Sequence, residues 1–213
     1  MAVAAGTFAA ASSAIAAVTD ACFSARTPPQ SEGPFYPVND QLDKDTDLTQ
    51  VTGGLGKAKG QMIFVTGTIL DQNCRPIKGA RIEIWQACES GRYNHPNDES
   101  GLPLDRNFQY WGIAHTGTDG KYIFKTIKPG SYPAGSGWIR PPHIHYKVSA
   151  LGFHELTTQL YFSGDPLNDK DLILKALPSA DQKKVVVPLS PAGPEFNPNS
   201  LLGDFSITLQ RVV

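Results

Sequence analysis

Seven short segments of the sequence alternate apolar with polar positions or are rich in β-branched residues, and connections containing Gly and Pro separate them. A period of two places successive side chains on opposite faces of a strand, so each segment predicts a β-strand. The segments are Gln61–Asp71, Ala80–Ala87, Lys121–Ile127, His143–Ala150, Leu156–Phe162, Lys184–Leu189 and Phe205–Val212. Many short strands with almost no long helical period favour an all-β fold, an antiparallel β-sandwich.

Two connections between these strands are unusually long, Cys88–Tyr110 and Lys128–Pro142. Loops beyond about 12 to 15 residues are uncommon unless they carry function. Both contain Tyr, Arg, Gly and Pro, so we expect them to be site-forming loops on a rigid scaffold.

Helical structure is expected only near the last third of the chain. One short helix is predicted around Asp169–Leu177, and one or two further turns around Pro178–Lys183. In the second of these, Ser179 is the predicted N-cap and Asp181 lies in the first turn.

The first 22 residues, MAVAAGTFAAASSAIAAVTDAC, are similar to the apolar and small-residue part of a secretory signal, without its basic start. We expect residues 1–26 to be an Ala-rich segment left from an export signal, which favours an exported or periplasmic protein over a cytoplasmic one. The alternative is a disordered or loosely helical terminus. Residues 27–213 then form one domain, and its first part, Thr27–Gly60, is an extended strap laid over the core.

Charge and composition indicate the kind of partner. Lys and Arg number 19 and Asp and Glu number 20, for a formal net charge of -1, so no global field attracts nucleic acid or an anionic membrane. No apolar run reaches the roughly 18 to 20 residues that would span a bilayer. The expected partner is therefore a small molecule.

The three cysteines, Cys22, Cys74 and Cys88, show no CxxC spacing, so neither a zinc knuckle nor a redox motif is indicated. We expect small buried thiols, with one disulfide as the alternative.

The sharpest local motif is PPHIHYKV, in which His143 and His145 lie two residues apart in a predicted strand. Both side chains then leave the same face of the strand and can bind one metal ion. Imidazole suits iron, copper, zinc and nickel alike, so the pair does not identify the metal. An ordinary strand face is the alternative interpretation.

No Asp or Glu in the adjacent strand residues completes the ligand set, but two tyrosines could. Tyr93 lies in the first long loop, in GRYNHP, and Tyr132 in the second, in GSYPAG. A free phenol has a pKa of about 10, so phenolate ligation requires a strongly Lewis-acidic cation, and ferric iron fits best. For each tyrosine alone, a half-buried aromatic bonded to backbone is the alternative.

The segments VTGTILD, GARIEIWQA, GRYNHPND, LPLDRNFQYWG, TDGKYIFKTIKPGSYP, IRPPHIHYKVS and LTTQLYFSGD together carry a resemblance to a known family. From Gly33 to Leu209 the chain resembles the intradiol ring-cleavage dioxygenases, in particular the iron-bearing beta subunit of protocatechuate 3,4-dioxygenases. The resemblance implies a non-haem enzyme with one ferric ion per chain and dioxygen as co-substrate. Such an enzyme opens catechol-type rings between the two hydroxyl-bearing carbons and gives muconate-type diacids.

Carried over by position, the resemblance implies the iron ligands Tyr93, Tyr132, His143 and His145. Tyr132 would also leave the metal as a base when a small aromatic diol binds. Arg140, in IRPPH, would lie over the substrate ring, and Gln159, in TTQLYF, would lie beside the site. The run GPFY contributes Pro34 and Tyr36 as substrate-binding residues.

The sequence also departs from the family pattern. Small residues follow Tyr132, namely Ala134, Gly135 and Ser136, where protocatechuate enzymes carry a bulky aromatic residue and a longer loop, so a more open pocket is expected. The helical dimerisation segment of the catechol and hydroxyquinol branches is missing. The sequence does not choose between a monomer, a homo-oligomer and an assembly with a dedicated partner subunit.

Two other interpretations compete with an intradiol enzyme. The pattern VTGTILDQNCRPIKGARIEIW followed by TGTDGKYIF is shared with transthyretin-like or carboxypeptidase-regulatory binding modules, which need no iron ligands. Alternatively, His143 and His145 could form a ferrous or zinc site with a third histidine such as His115 or His154. His95 is expected to be a loop residue beside Tyr93 rather than a ligand.

Overall fold

A computed structural model of the chain describes residues 26–135 and 137–212. The predicted export signal in residues 1–22 lies outside these residues. Within them, twelve strands form two five-stranded sheets and a small hairpin. The strands are β1 Met62–Asp71, β2 Arg81–Trp85, β3 Trp111–His115, β4 Lys121–Ile127, β5 Tyr132–Gly135, β6 Trp138–Arg140, β7 His143–Ser149, β8 Leu156–Phe162, β9 Val186–Val187, β10 Ser190–Pro191, β11 Leu201–Asp204 and β12 Ile207–Leu209.

The first sheet is built around β1, the longest strand. β4 pairs with β1 antiparallel from Met62↔Ile127 to Thr68↔Lys121. The C-terminal strands β11 and β12 pair with β1 in parallel, with Ile63 opposite Leu201, and β10 extends the sheet beyond β11. The sheet therefore joins chain segments that are far apart in sequence.

The second sheet has the order β3-β2-β7-β8-β9 and carries the histidine pair on β7. Its four longer strands pair antiparallel, and the short β9 pairs with β8 in parallel. The third unit is the hairpin β5–β6, in which Tyr132 lies opposite Arg140.

The core lies between the two large sheets. Tyr146 of the second sheet packs against Tyr122 and Phe205 from the first-sheet side, with ring centroids 6.2 and 5.0 Å apart. The apolar side chains of both sheets form one cluster that excludes water almost completely. A second cluster, built on Trp85, Trp111 and the two tyrosines, lies apart from it.

This architecture confirms the predicted β-sandwich, although the sheets are mixed rather than antiparallel throughout. β4 already occupies one edge of β1 as an antiparallel neighbour. The C-terminal strands reach the other edge after a long excursion, and they arrive running in the same direction as β1. Parallel neighbours need such long connections, which alternation of residues within one strand cannot reveal.

Several predicted elements differ from the structure in detail. Helix α1 spans Leu172–Lys175 after a 3-10 turn at Asn168–Lys170, and helix α2 spans Ser179–Val185. The predicted strand Lys184–Leu189 is wrong at its start, because Lys184 and Val185 belong to the last turn of α2. The predicted N-cap Ser179 is also wrong, because Pro178 is the N-cap and Ser179 is the first helical residue.

The second long connection is also not a simple loop, because the hairpin β5–β6 lies inside it. Strand β3, in WGIAH, was not predicted. Asp181 lies in the first turn of α2, as predicted.

The segment from Thr27 to Gly60 contains no helix and no strand beyond an isolated bridge, and it crosses both sheets. Thr27 accepts a hydrogen bond from the Thr208 backbone, and Leu48 donates one to Lys125. Cys74 is disulfide-bonded, so the expectation of a thiol is wrong at this position, whereas Cys88 is a buried free thiol, as expected. In the part of the chain that the structure describes, no helix could span a lipid bilayer.

Candidate functional site

Strand β7 places His143 and His145 on one face of the second sheet. The alternate residues Ile144 and Tyr146 point into the core and are fully buried, so the imidazoles must point the other way. Both are also buried, with exposed fractions of 2% and 1%, because loops cover this face. Their ring centroids lie 4.9 Å apart.

Two glycines allow the tyrosine-bearing loops to approach each other. Gly91 has a φ of +89°, and a Cβ there would lie 2.2 Å from the backbone oxygen of Ser131. A Cβ on Gly130 would lie 2.3 Å from a backbone oxygen of the facing loop. Only residues without a side chain permit this contact. It brings the rings of Tyr93 and Tyr132 edge to face, 5.4 Å apart.

The four predicted ligands therefore converge in the structure. The hydroxyl of Tyr93 lies 3.5 Å from Nε2 of His143, and the ring of Tyr132 lies 5.6 Å from the His143 ring. The rings of Tyr93 and His145 are 6.3 Å apart. None of the four side chains is more than 7% exposed.

The histidines are held in the form that binds a metal. Nδ1 of His143 donates to the Pro141 carbonyl at 2.6 Å, which leaves Nε2 with a lone pair on the side where Tyr93 and Arg140 lie. Burial, and then the guanidinium of Arg140, lowers the pKa of both imidazoles, so both are neutral at pH 7. Nδ1 of His145 is buried without a partner among the described residues.

The tyrosines complete a donor set that fits a ferric ion. Burial and then the neighbouring Tyr132 raise the pKa of Tyr93, and burial raises the pKa of Tyr132. Both are therefore neutral phenols unless a strong cation draws off their protons. Two neutral imidazoles and two buried phenols, with no carboxylate among them, suit a trivalent Lewis acid better than zinc or ferrous iron.

A buried polar network lies behind the four ligands and fixes Arg140. Its Nε donates to Asp171 at 2.9 Å, and its Nη2 donates to Gln159 at 2.8 Å. Nη1 lies 3.1 Å from Nε2 of His143. Burial alone would lower the pKa of Arg140, but the hydrogen bond with Asp171 raises it overall, so the side chain stays cationic.

Gln159 is held in turn by both ends of its amide. Its Nε2 donates to the Ser31 carbonyl at 2.7 Å, and its Oε1 accepts from Tyr161 as well as from Arg140. The structure thus places Gln159 next to Arg140, with its amide bonded to the guanidinium and to the strap.

A cavity of about 430 Å³ opens beside the tyrosines. Tyr132, Arg140 and Pro34 all line it, whereas Tyr36 does not. The hydroxyl of Tyr36 donates to Glu83 at 3.1 Å, outside the cavity. The neighbouring Phe35 lines the cavity instead and stacks on Tyr93 at 4.5 Å.

The structure gives no support to the alternative site with a third histidine. Across residues 26–135 and 137–212, no three His, Cys, Asp or Glu side chains come together as a metal site. His115 and His154 are both exposed. His95 is a loop residue with its ring edge against Phe35, and its Nδ1 accepts from the Asn97 backbone.

Sequence reasoning missed three residues that shape the site. Asp171 is the charge partner of Arg140, Phe35 stacks on Tyr93, and Trp85 stacks on His145 with ring centroids 4.8 Å apart. Trp85 could have been found, because it lies in the predicted strand ARIEIWQA. Asp171 carries no local signal that links it to an arginine 31 positions earlier.

Known proteins of one family resemble this chain. A family model described as Dioxygenase matches residues 31–197. The protocatechuate 3,4-dioxygenase beta chain of Burkholderia cepacia is 40% identical over 157 residues, which are 72% of this chain and 66% of that protein. Hydroxyquinol 1,2-dioxygenase of a Rhizobium species is 38% identical over 54% of this chain and 42% of its own length. The chain thus spans less than two thirds of these relatives.

Solved structures of dioxygenases share the fold of this chain. The dioxygenase domain of a carbohydrate-binding fusion protein from Streptomyces sp. SirexAA-E superposes with a TM-score of 0.65 at 29% identity, covering 88% of this chain and 99% of that one. An intradiol ring-cleavage dioxygenase from Tetranychus urticae superposes with a TM-score of 0.65 at 25% identity, covering 88% and 96%.

Proposed function

Because this chain belongs to the intradiol ring-cleavage dioxygenase family, we propose that it opens catechol-type aromatic rings between the two hydroxyl-bearing carbons. Both atoms of dioxygen enter the product, a muconate-type diacid. Membership of the family implies non-haem iron and dioxygen. The finer proposal is one ferric ion per chain, with a small aromatic diol as the substrate.

One observation carries this proposal, the convergence of Tyr93, Tyr132, His143 and His145 beside a 430 Å³ cavity that Tyr132 lines. A binding module without a metal has no need of two neutral, buried imidazoles that face two buried phenols. A ferric ion bound there would act as a Lewis acid that withdraws electron density from a chelated diol.

The tyrosines differ in ways that suit different roles. Tyr93 is stacked on Phe35, and its backbone nitrogen donates to Asp98 at 2.6 Å, so it is held from two sides. Tyr132 starts the hairpin β5–β6 and lines the cavity directly. We infer that Tyr132 accepts one of the two protons that a diol must lose on binding, and that Tyr93 remains a ligand.

Arg140 is the group placed to stabilise negative charge on the substrate ring. It lines the cavity, and Asp171 and Gln159 fix the plane of its guanidinium. A preorganised cation of this kind needs no rearrangement as charge develops. Gln159 is a positioning residue, because it acts through Arg140. Arg140→Ala should lower turnover by a factor of about a hundred to a thousand.

The test is to load the purified protein with ferric iron and supply catechol and ¹⁸O-labelled dioxygen. The expected results are a visible phenolate-to-iron absorption and a ring-opened diacid that carries two labelled oxygens. Tyr93→Phe should shift or remove the absorption. Tyr146→Phe is the matched control, because Tyr146 is equally buried but points into the core. A colourless loaded protein, or a Tyr93→Phe spectrum like that of the parent protein, would refute the assignment.

A further inference from the structure

The cavity beside Tyr132 carries more negative than positive charge on its walls. Among the described residues that line it, Arg140 is the one cation, and Asp98 and Glu99 are acidic. The charge that a bound substrate meets therefore depends on whether these three groups are compensated by other partners.

The positive charge of Arg140 is already matched. Its Nε and Nη2 atoms both bond to the carboxylate of Asp171, which is fully buried behind the cavity wall. Nη2 also donates to Gln159 and Tyr161, and Nη1 faces His143. Nε and Nη2 are committed to Asp171, Gln159 and Tyr161, so only Nη1 could contact a carboxylate on the substrate, and a bidentate pair through two nitrogens cannot form.

The negative charges are not matched in this way. Asp98 is 6% exposed, and its oxygens accept from the backbone nitrogens of Tyr93 and Ser100 rather than from a cation. Glu99 is exposed at the cavity. Within the described part of the chain, neither carboxylate makes an ion pair.

The remaining wall is mostly apolar, with side chains from the strap, the hairpin and helix α1. These are Pro34, Phe35, Pro133, Ala134, Trp138 and Ile173. Apolar walls favour an uncharged substituent, and a volume of about 430 Å³ is ample for a substituted ring. An anionic substituent would leave water for a cavity wall with two carboxylates and no unpaired cationic side chain.

We propose that this cavity selects catechols whose ring substituents are uncharged and discriminates against catechols that carry a carboxylate. The inference rests on the proposed function, because it places the diol at the four-ligand cluster. The proposed preference differs from the substrate named for the 40% identical relative, because protocatechuate is a catechol that carries a carboxylate.

The first experiment is an anaerobic equilibrium titration of the iron-loaded protein, which reports binding without turnover. Catechol, 4-methylcatechol and protocatechuate are compared at low and high salt. We expect protocatechuate to bind about tenfold more weakly than 4-methylcatechol or worse, because the wall carboxylates Asp98 and Glu99 repel its carboxylate. High salt should narrow the difference by screening the exposed Glu99. Equal or tighter binding of protocatechuate would overturn the proposal.

The second experiment changes the charge on the wall. Glu99→Lys should improve the binding of protocatechuate relative to 4-methylcatechol by about tenfold. Glu195→Gln is the control, because Glu195 is an exposed carboxylate that does not line the cavity. In this variant the ratio of the dissociation constants of protocatechuate and 4-methylcatechol should equal that of the parent protein. A ratio that is the same in Glu99→Lys and Glu195→Gln would contradict the inference.

The two proposals fail in different ways. If the loaded protein opens protocatechuate as readily as catechol, the proposed function stands and the charge preference is wrong. If diols bind and no ring is opened, the proposed function is wrong, and the ratio of dissociation constants still decides the charge preference.

Discussion

The buried ion pair between Arg140 and Asp171 allows the sharpest stability prediction. Both residues are almost inaccessible, with exposed fractions of 3% and 0%, and Nε and Oδ2 lie 2.9 Å apart. Removing one partner of a buried pair leaves an uncompensated charge and typically costs about 3 to 5 kcal/mol. Arg140 also borders an open cavity, where water can reach it, so the lower end of about 3 kcal/mol is expected for this pair.

Asp171 has a second role that adds to this cost. Its Oδ1 accepts from the Leu174 backbone at 2.8 Å and caps helix α1. Loss of such a cap costs about 1 kcal/mol. Asp171→Ala should therefore lower the free energy of unfolding by about 4 kcal/mol in total. Asp171→Asn should cost less, because it keeps the cap and loses only the charge.

The measurement is urea denaturation of iron-free protein, so that metal affinity does not enter the comparison. Asp181→Ala is the control, since Asp181 pairs with Lys184 on the surface of α2, and exposed pairs contribute at most about 1 kcal/mol. A loss below about 1 kcal/mol in Asp171→Ala would refute the view that this pair is desolvated.

The other predictions concern the loops, acid stability and the metal. Gly91→Ala should destabilise the protein by more than about 1 kcal/mol and lower its bound iron, because the new Cβ meets the Ser131 backbone at a positive φ; metal analysis and urea denaturation check this. Burial alone would raise the pKa of Asp71, but bonds from the Arg75 backbone and the Arg211 side chain lower it. Its contribution to stability is therefore complete above the unfolded pKa and is lost as pH falls from about 4. Urea midpoints should drop less between pH 6 and pH 3 in Asp71→Asn than in the parent protein, and equal drops would contradict this. Chelation of iron should bleach the visible absorption and lower the melting temperature, since a ligand bound only to the native state stabilises it; an unchanged melting temperature would argue against iron binding at the folded site.

Part of the fold could be read directly from residue patterns. Lys121–Ile127 and Leu156–Phe162 begin and end as predicted, because Gly and Pro bound segments with clear strand composition. Strand β3 was missed because WGIAH is only five residues long and contains a glycine, which weakens the strand pattern. The helical start of Lys184–Leu189 was missed because valines at a helix end look like a strand until the preceding turn is considered.

The candidate site was predictable where the residues sit in ordered strands and not where the chain is extended and irregular. The HIH motif predicts its own geometry, because side chains two positions apart in a strand point to the same face of the sheet. In GPFY, by contrast, the chain forms an irregular turn, in which no regular alternation fixes the direction of a side chain. A difference of one position therefore decides that Phe35, and not Tyr36, enters the cavity. Asp171 could not be found, because its pairing with Arg140 depends on how α1 packs against the hairpin.

The parallel pairing of β1 with the last strands has a consequence for how this protein matures. Ile63 has no neighbour on that edge until Leu201 has been made, so strands β10, β11 and β12 can join the first sheet only late in synthesis. Contacts so distant in sequence are slow to form. The side chains of the four-ligand cluster all emerge from the ribosome earlier than that strand. Iron captured during synthesis would therefore meet an incomplete sandwich, and stable loading is expected only after the C-terminal strands have docked.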